Sequence, residues 1–379
     1  MRYVWIKDAE EFRSIAAEWD NALLGSKEDN HFLLSDFILS WWKYYGGRLG
    51  MRILAAYDGA AISCGAAFFR NNRGYLAPIG GITANYTEFL NPAAGQYAWS
   101  AILGALKQEK GWRCLSLERA RPRKIALGTL KEFASQDKGL VCEAYPSGCS
   151  YLIKVPAEFS GYINTIDETL RYYIKRSEKE LERQGGLSLI SLAESGRMGY
   201  FTDMYIRLSL DSFRRRGRKS AFENAPRRLF FKELMEKHSD SGRVDAHALK
   251  SGDRIIAMHF GYSAGNNLNY IFPVFDMDFA RFNPGHLLIY KLVELAVKRK
   301  NDYIDLYSGE NFYKEQWSNH RDELVSVALR PKRISCAMEG YFARQIRNSP
   351  AIKNIKRGLL RLRRESARIK EGFRSRPWR

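Results

Sequence analysis

The sequence predicts a mixed α/β fold of two similar halves with mostly antiparallel sheets, followed by a basic helical tail. The chain has 379 residues, more than the ~250–300 at which a single hydrophobic core stops growing. Hydrophobic residues make up 45% of it, which is ordinary for a globular protein. One order of predicted elements also occurs twice along the chain. We therefore expect domains at residues 1–148 and 149–333, with the tail at 334–379.

The first half has clear helix and hairpin signals. Asp8 is a good N-cap, and Glu11 follows three residues later, as in a capping box. Asp58-Gly59 is a strong signal for a two-residue hairpin turn. The elements predicted here are helices beginning at Asp8 and Ser35, strands at 52–57, 62–69 and 74–78, a helix at 93–107 and a strand at 114–118.

The second half repeats the order of hairpin, third strand, helix and strand. Its strands are predicted at 245–249, 255–262 and 268–275, then a helix from Pro284 to about residue 300 and a strand at 303–307. Corresponding positions lie far apart, 193 residues from Gly59 to Gly252. Solenoid repeats have periods of ~20–50 residues, so the pattern favours two similar domains. Between them we predict a boundary near residues 146–148 and one long helix at 158–183.

Much of the positive charge lies at the C-terminal end. The formal net charge is +19, and residues 344–379 contain thirteen Lys and Arg against two Glu, which makes +11. Apolar residues interleave with these cations. The pattern fits a basic amphipathic helix on an anionic membrane surface. Binding to nucleic-acid phosphates and a solvated tail are the alternatives.

The sequence points to a reducing compartment. No apolar signal-peptide region follows the start, and no apolar run approaches the ~20 residues of a membrane span. The five cysteines form no CxxC pair, so neither a disulfide framework nor a metal site is expected. We expect a cytoplasmic protein, with the tail as its route to peripheral contact at the inner face of the cell membrane.

The segment from Phe272 to Trp317 carries the most chemical information. Pro284 suits the first position of a helix, and Gly285 lets a ligand approach the backbone closely. The free amides of a helix N-terminus bind anions, and Arg281 lies nearby in sequence. An ordinary helix start is the alternative. The residues we predict to bind a cofactor are Phe272, Val274, Arg281, Pro284, Gly285 and His286.

Three motifs together resemble a known family. They are the run from Leu210 to Lys219, the helix start at 283–288, and the run at 305–309 followed by Tyr313, Lys314 and Trp317. In order and spacing they resemble the CelD-type acetyltransferases, a GNAT branch close to the FemABX peptidyltransferases. The resemblance covers about residues 30–330. It implies tandem GNAT domains that transfer an acyl group to an amine or hydroxyl in polysaccharide or cell-envelope synthesis, with acyl-CoA as co-substrate.

The resemblance also implies an active-site role for Lys314. That residue could neutralise an oxyanion or a phosphate. Glu310 is a candidate base and Tyr313 a candidate proton donor to the leaving group. Solvated surface positions are the alternative for Lys314 and Glu310, and packing is the alternative for Tyr313. Further predicted substrate contacts are Asp211, Arg214, Arg216, His259 and Tyr86.

These contacts have structural alternatives as well. Arginines at the end of a helix complement its dipole without any ligand, and His259 could be a structural histidine within its strand.

Two further functions stay open. One is transfer from aminoacyl-tRNA, which would make nucleic acid a partner, and the other is a non-catalytic accessory role in polysaccharide synthesis.

Overall fold

A computed structural model of the chain describes residues 2–26, 30–90, 96–262, 265–309 and 311–332. It confirms the mixed α/β fold with mostly antiparallel sheets. The predicted tail at 334–379 lies outside the described residues. The strands are β1 (Arg2–Ile6), β2 (Gly50–Asp58), β3 (Ala61–Arg70), β4 (Tyr75–Pro78), β5 (Cys114–Ala120), β6 (Leu140–Lys154), β7 (Leu187–Ser191), β8 (His247–Ser251), β9 (Arg254–His259), β10 (Asn267–Asn269), β11 (Val274–Phe275), β12 (Tyr303–Ser308) and β13 (His320–Pro331).

The helices cover both faces of these sheets. No helix among the described residues is both long and apolar enough to cross a membrane. The helices are α1 (Ala9–Ser14), α2 (Ala16–Gly25), α3 (Ser35–Trp41), α4 (Gln96–Gln108), α5 (Leu127–Gln136), α6 (Phe159–Ile163), α7 (Glu168–Gly185), α8 (Met198–Arg215), α9 (Ala225–Asp240), α10 (Pro284–Arg299) and α11 (Phe312–Trp317).

The strands form one nine-stranded and one four-stranded sheet. The large sheet has the order β1-β2-β3-β4-β5-β13-β6-β12-β10, and the small one β11-β9-β8-β7. Strand β13 pairs antiparallel with both β5 and β6, so a strand of the second half lies next to β5 of the first half. Strand β6 itself runs through that residue. The division into domains at 148 stays a prediction.

The repeated order of elements is present in the structure. In each half a helix connects two strands that pair in parallel, namely β4 and β5 across α4, and β10 and β12 across α10. Parallel neighbours need such a crossover. Strands β5 and β12 each contain a β-bulge. In each bulge, three residue steps of the strand lie opposite two residue steps of its partner, from Leu117 to Ala120 in β5 and from Asp305 to Ser308 in β12.

Two predicted elements are wrong in extent. The expected strand at 268–275 is two strands in different sheets, because β10 pairs with β12 and β11 pairs with β9. Pro273 lies between them and has no N–H to donate to a ladder. The expected helix at 158–183 is also interrupted. A new helix begins where the Asp167 carboxylate accepts a 2.9 Å hydrogen bond from the amide of Leu170.

A buried cluster of aromatic side chains spans the two halves. Phe37 of α3, Phe231 of α9 and Phe260 after β9 belong to one hydrophobic core, and ring pairs connect Phe37 to Phe230 and Phe231 to Phe260. Edge-to-face pairs of this kind add to the stabilisation from area burial. The halves therefore share a core as well as a sheet.

Glu233 fastens α9 to α3 beside this core. Its carboxylate accepts hydrogen bonds from Lys43 Nζ at 2.6 Å, Tyr44 OH at 2.7 Å and Ser40 Oγ at 3.2 Å. Lys237 Nζ lies 2.9 Å away. Burial acts to raise the pKa of Glu233, but the bonds from Lys43, Lys237 and Tyr44 outweigh it and lower the pKa from 4.5 to about 2.

We expect Glu233→Gln to destabilise the fold by about 1–3 kcal/mol at pH 7, since the side chain is only 16% exposed. The folded pKa lies below the unfolded one, so this stabilisation is present above pH 4.5 and is lost as the pH falls towards 2. Urea unfolding of both proteins at pH 7 and pH 3 measures it. The exposed Glu236→Gln on the same helix is the control. An equal difference in the free energy of unfolding between the wild type and Glu233→Gln at both pH values would contradict the lowered pKa of Glu233.

Candidate active site

A pocket of about 400 Å³ opens where the chain passes from one sheet to the other. The end of α8, residues 273–275, the first turn of α10 and the start of α11 surround it. Tyr270, Asn283 and Asn311 contribute to its walls. The structure brings six of the predicted site residues together here: Arg216, Val274, Pro284, Gly285, His286 and Tyr313.

The first turn of α10 offers little of its backbone to a ligand. Asn283 is left-handed (φ 50°), and its carbonyl accepts the amides of His286 at 2.9 Å and Leu287 at 3.1 Å. Pro284 has no N–H. Within the described residues, the Gly285 amide is then the only one in this turn without a main-chain acceptor. A Cβ atom at Gly285 would approach only Phe275, at 3.9 Å, so there is open space beside this residue at the pocket wall.

His286 has a fixed orientation at the pocket wall. The indole Nε1–H of Trp317 donates to its Nδ1 at 2.9 Å, and the two ring planes are inclined by 27° with their centroids 6.3 Å apart. Burial lowers the pKa of His286, which favours the neutral ring. Since Nδ1 accepts, Nε2 carries the proton. His286 can therefore donate a hydrogen bond from Nε2.

Tyr313 and Lys314 point to different surroundings. Tyr313 lines the pocket, and burial raises its pKa to about 12, so its hydroxyl is protonated at neutral pH. Lys314 is only 6% exposed. Its Nζ donates to the carbonyls of Ser308 at 2.7 Å and Tyr307 at 3.3 Å. The alternative of a solvated surface lysine at this position is thus wrong, since Lys314 is buried and holds the end of β12.

The ammonium group of Lys314 is costly to bury. Desolvation lowers its pKa from 10.5 to about 8, and the nearby Asp305 carboxylate offsets part of this effect. The main chain beside it is unusual, because Tyr307 has φ 62° and Gly309 φ 103°. Glu310, the predicted base, lies outside the described residues.

Asp305 is a functional candidate to which the sequence reasoning assigned no role. It is 3% exposed, and its carboxylate accepts from Tyr86 OH at 2.8 Å, the Tyr307 amide at 2.7 Å and Arg121 Nη2 at 2.7 Å. The Tyr86 ring stacks on Tyr307 at 5.2 Å, and Arg121 lies over it at 4.1 Å. The sequence signal that could have identified Asp305 is the position of a carboxylate inside an apolar strand. Tyr86 therefore reaches the second half through Asp305.

Two predicted cofactor contacts lie away from the pocket. Arg281 is exposed, with its guanidinium 4.6 Å from the Phe282 ring. Phe272 packs against the core, with its ring 5.3 Å from Phe231 and 6.4 Å from Tyr205. Neither side chain is among the lining residues of the pocket.

Three predicted substrate contacts are engaged in protein contacts. His259 is fully buried, and its Nε2 lies 3.1 Å from His247 Nδ1. Burial and the neighbouring His247 lower the pKa of His259 well below its usual value, so it is neutral. Asp211 forms a 2.7 Å ion pair with Arg214, on the exposed side of α8.

Comparison with known proteins indicates the class of protein that this geometry defines. The family model of the acetyltransferase (GNAT) domain matches residues 169–315, which include α8, α10, β12 and the pocket. This segment is therefore similar to a GNAT acetyltransferase domain. No curated protein sequence matches the chain.

One solved structure, FemX, supports this fold, and two further structures are more distantly similar. FemX superimposes with a TM-score of 0.60 at 11% identity, covering 86% of this chain and 97% of FemX. L-PGS from Bacillus licheniformis gives a TM-score of 0.49 at 14% identity, with 89% and 96% covered. A tandem GNAT protein from the clavulanic acid biosynthesis pathway gives 0.43 at 8% identity, with 86% and 98% covered. At these identities the likeness to FemX shows the fold alone.

We expect Lys314→Met to change how stability depends on pH. The folded pKa of about 8 lies below the unfolded value of 10.5, so the unfolded chain binds the proton more tightly. The wild type should therefore gain stability relative to the variant between pH 8 and pH 10, by up to about 1.4 kcal/mol per pH unit. Chemical denaturation of both proteins at several pH values measures this difference, and parallel curves would contradict a buried, depressed lysine.

We expect Asp305→Asn to destabilise the protein by about 3 kcal/mol, because it leaves the Arg121 guanidinium without its closest carboxylate. Asp302→Asn on the same segment is the control, since Asp302 is exposed and surface changes usually stay within about 0.5 kcal/mol. Thermal and urea unfolding compare the three proteins. Equal stability of the two variants would show that Asp305 does not stabilise the contact between the two halves.

Proposed function

We propose that the protein is an acyltransferase that binds acyl-CoA in the 400 Å³ pocket and transfers the acyl group to an amine or hydroxyl. A sugar, polysaccharide or cell-envelope precursor is the proposed acceptor class, as the sequence resemblance implies. One observation carries the proposal. The pocket lies at the N-terminus of α10, next to the crossover between two parallel strands, and Gly285, His286 and Tyr313 all line it.

The position of the pocket suits an anionic donor. The N-terminus of a 16-residue helix carries a partial positive charge of roughly half a unit, and the Gly285 N–H has no main-chain acceptor among the described residues. Clefts between the ends of parallel strands are frequent ligand sites in α/β folds. An acyl thioester could therefore lie along the first turn of α10 with its carbonyl near His286.

The lining residues provide the groups that acyl transfer needs. Attack on a thioester places negative charge on the carbonyl oxygen, which fixed N–H donors stabilise. His286 is neutral with Nε2–H as its donor. Tyr313 keeps its proton at neutral pH and can give it to the departing thiolate. Glu310 stays the candidate for the base that takes the proton of the acceptor.

Lys314 acts in this proposal by positioning other groups. Its two bonds to the Tyr307 and Ser308 carbonyls fix the turn that leads into α11. Tyr313 is the neighbouring residue, so loss of these bonds would displace its hydroxyl. We therefore assign Lys314 to the support of Tyr313, although the sequence resemblance implied a direct role.

We expect Gly285→Ala to weaken binding of acetyl-CoA about tenfold or more, because the new methyl group would occupy open space at the pocket wall and keep the donor away from the backbone. It should not destabilise the fold, since the nearest protein atom lies 3.9 Å away. Gly128→Ala is the matched control. Gly128 is likewise the second residue of a helix with open space around it.

Isothermal titration of acetyl-CoA, longer acyl-CoAs and free CoA into the three proteins makes the test. Retention of full affinity by Gly285→Ala would exclude the first turn of α10 as the donor site. Absence of thioester binding by the wild type would exclude the CoA-dependent reaction. The aminoacyl-tRNA donor and the non-catalytic role would then become the hypotheses to examine.

A further inference from the structure

The end of α8 carries a dense run of cations beside the pocket. Arg214 and Arg215 are engaged, since both pair with Asp211 at 2.7 Å and Arg215 also pairs with Asp278 at 2.7 Å. The remaining cations differ. Within the described residues, no ion pair involves Arg216, Arg218 or Lys219, and all three are exposed to solvent.

Arg216 holds its guanidinium at the pocket with donors to spare. Its Nε donates to the Ser212 carbonyl at 2.9 Å, and Nη2 donates to the Ser212 hydroxyl. The group lies 5.3 Å from the Phe213 ring and 5.9 Å from the Phe275 ring. A guanidinium has five N–H donors, so three remain beyond these two bonds. The contacts with Ser212, Phe213 and Phe275 hold the group, and its remaining donors suit the bidentate binding of phosphate.

The chain turns sharply after Arg216 and keeps the next cations close. Gly217 adopts φ 64°, which favours glycine. The amide of Arg218 then returns to the Phe213 carbonyl at 2.9 Å, and that of Gly217 to the Arg214 carbonyl at 2.9 Å. This is the Schellman arrangement of a helix C-terminus. The turn therefore holds Arg218 and Lys219 beside the end of α8.

The backbone on the opposite side of the pocket cannot replace these cations. Only the Gly285 amide lacks a main-chain acceptor in the first turn of α10, as far as the described residues show. A pyrophosphate has many acceptor oxygens and more than one charge. One amide and the helix dipole would satisfy a small part of them.

The size of the pocket points the same way. About 400 Å³ is near the lower end of the ~300–1,000 Å³ that is usual for small-molecule sites. Such a volume suits the acyl end of a donor and leaves its charged end outside, and the exposed Arg216 is one of the lining residues.

We propose that side-chain cations at the end of α8, rather than a backbone cradle, bind the phosphate-bearing nucleotide end of the donor. Arg216 makes the contact at the mouth of the pocket, and Arg218 and Lys219 extend the cationic surface outward. This inference rests on the proposed function. It adds that affinity for the donor depends on its phosphates and falls with ionic strength, because exposed charges are screened by salt.

Titrations with two probes separate the phosphate contacts from the rest of the site. The probes are CoA, which carries the phosphates, and acetyl-pantetheine, which represents the acyl end without them. We expect Arg216→Gln to weaken CoA binding about tenfold or more and to leave acetyl-pantetheine binding unchanged. The double variant Arg218→Gln/Lys219→Gln should weaken CoA binding less. Both should reduce the salt dependence, and Arg216→Lys should recover part of the affinity.

Arg207→Gln is the matched control, since Arg207 is exposed nine residues before Arg216, on the same helix. It should bind both probes as the wild type does. An unchanged preference for CoA over acetyl-pantetheine in Arg216→Gln and in the double variant would overturn the inference, yet leave the proposed function intact if Gly285→Ala still loses binding. Failure of the wild type to bind CoA and all acyl-CoAs would overturn both.

Discussion

The rest of the site depends on one buried charge, the Asp305 carboxylate. A buried carboxylate is stable only when it is paired and hydrogen-bonded, and Asp305 obtains its donors from both halves of the chain. Tyr86 and Arg121 approach from the first half, and the Tyr307 amide approaches from its own strand. The same charge partly offsets the cost of burying the Lys314 ammonium. The contacts between the two halves at Asp305, the end of β12 and the residues Tyr313 and Lys314 therefore form one electrostatic unit.

This unit explains how an unfavourable backbone conformation persists next to the pocket. A non-glycine residue at φ 62°, as at Tyr307, is retained only where its surroundings determine it strongly. Asp305 binds the amide of this residue, and Lys314 binds its carbonyl. The Tyr307 hydroxyl also donates to Asn269 at 2.8 Å. Held in this way, the chain leaves β12 in a fixed direction and delivers Tyr313 to the pocket wall.

Local signals predicted the elements of this site, and long-range contacts decided what its residues touch. The Pro284-Gly285 start of α10 and the turn at Asp58-Gly59 follow from nearby chemistry, and both were predicted. The partners of Asp305 lie 219 and 184 positions away, so no local pattern could identify them. The direction of the Lys314 side chain has the same origin. The prediction of a single strand at 268–275 was wrong, because the alternation of apolar and polar residues does not reveal that the chain changes from one sheet to the other.

The repeat also shows why the first half has a role in a site that lies in the second. Strands β5 and β12 occupy equivalent places beside their crossover helices, and each has a bulge with a non-glycine residue at positive φ, Arg119 at 53° and Tyr307 at 62°. Bulges re-aim the chain and are frequent near active sites. The bulge in β12 directs the chain towards α11 and the pocket. The bulge in β5 comes just before Arg121, which it brings to Asp305. The bulge in β12 thus positions the segment that leads to the pocket, and the corresponding bulge in β5 positions Arg121, the cation that pairs with Asp305.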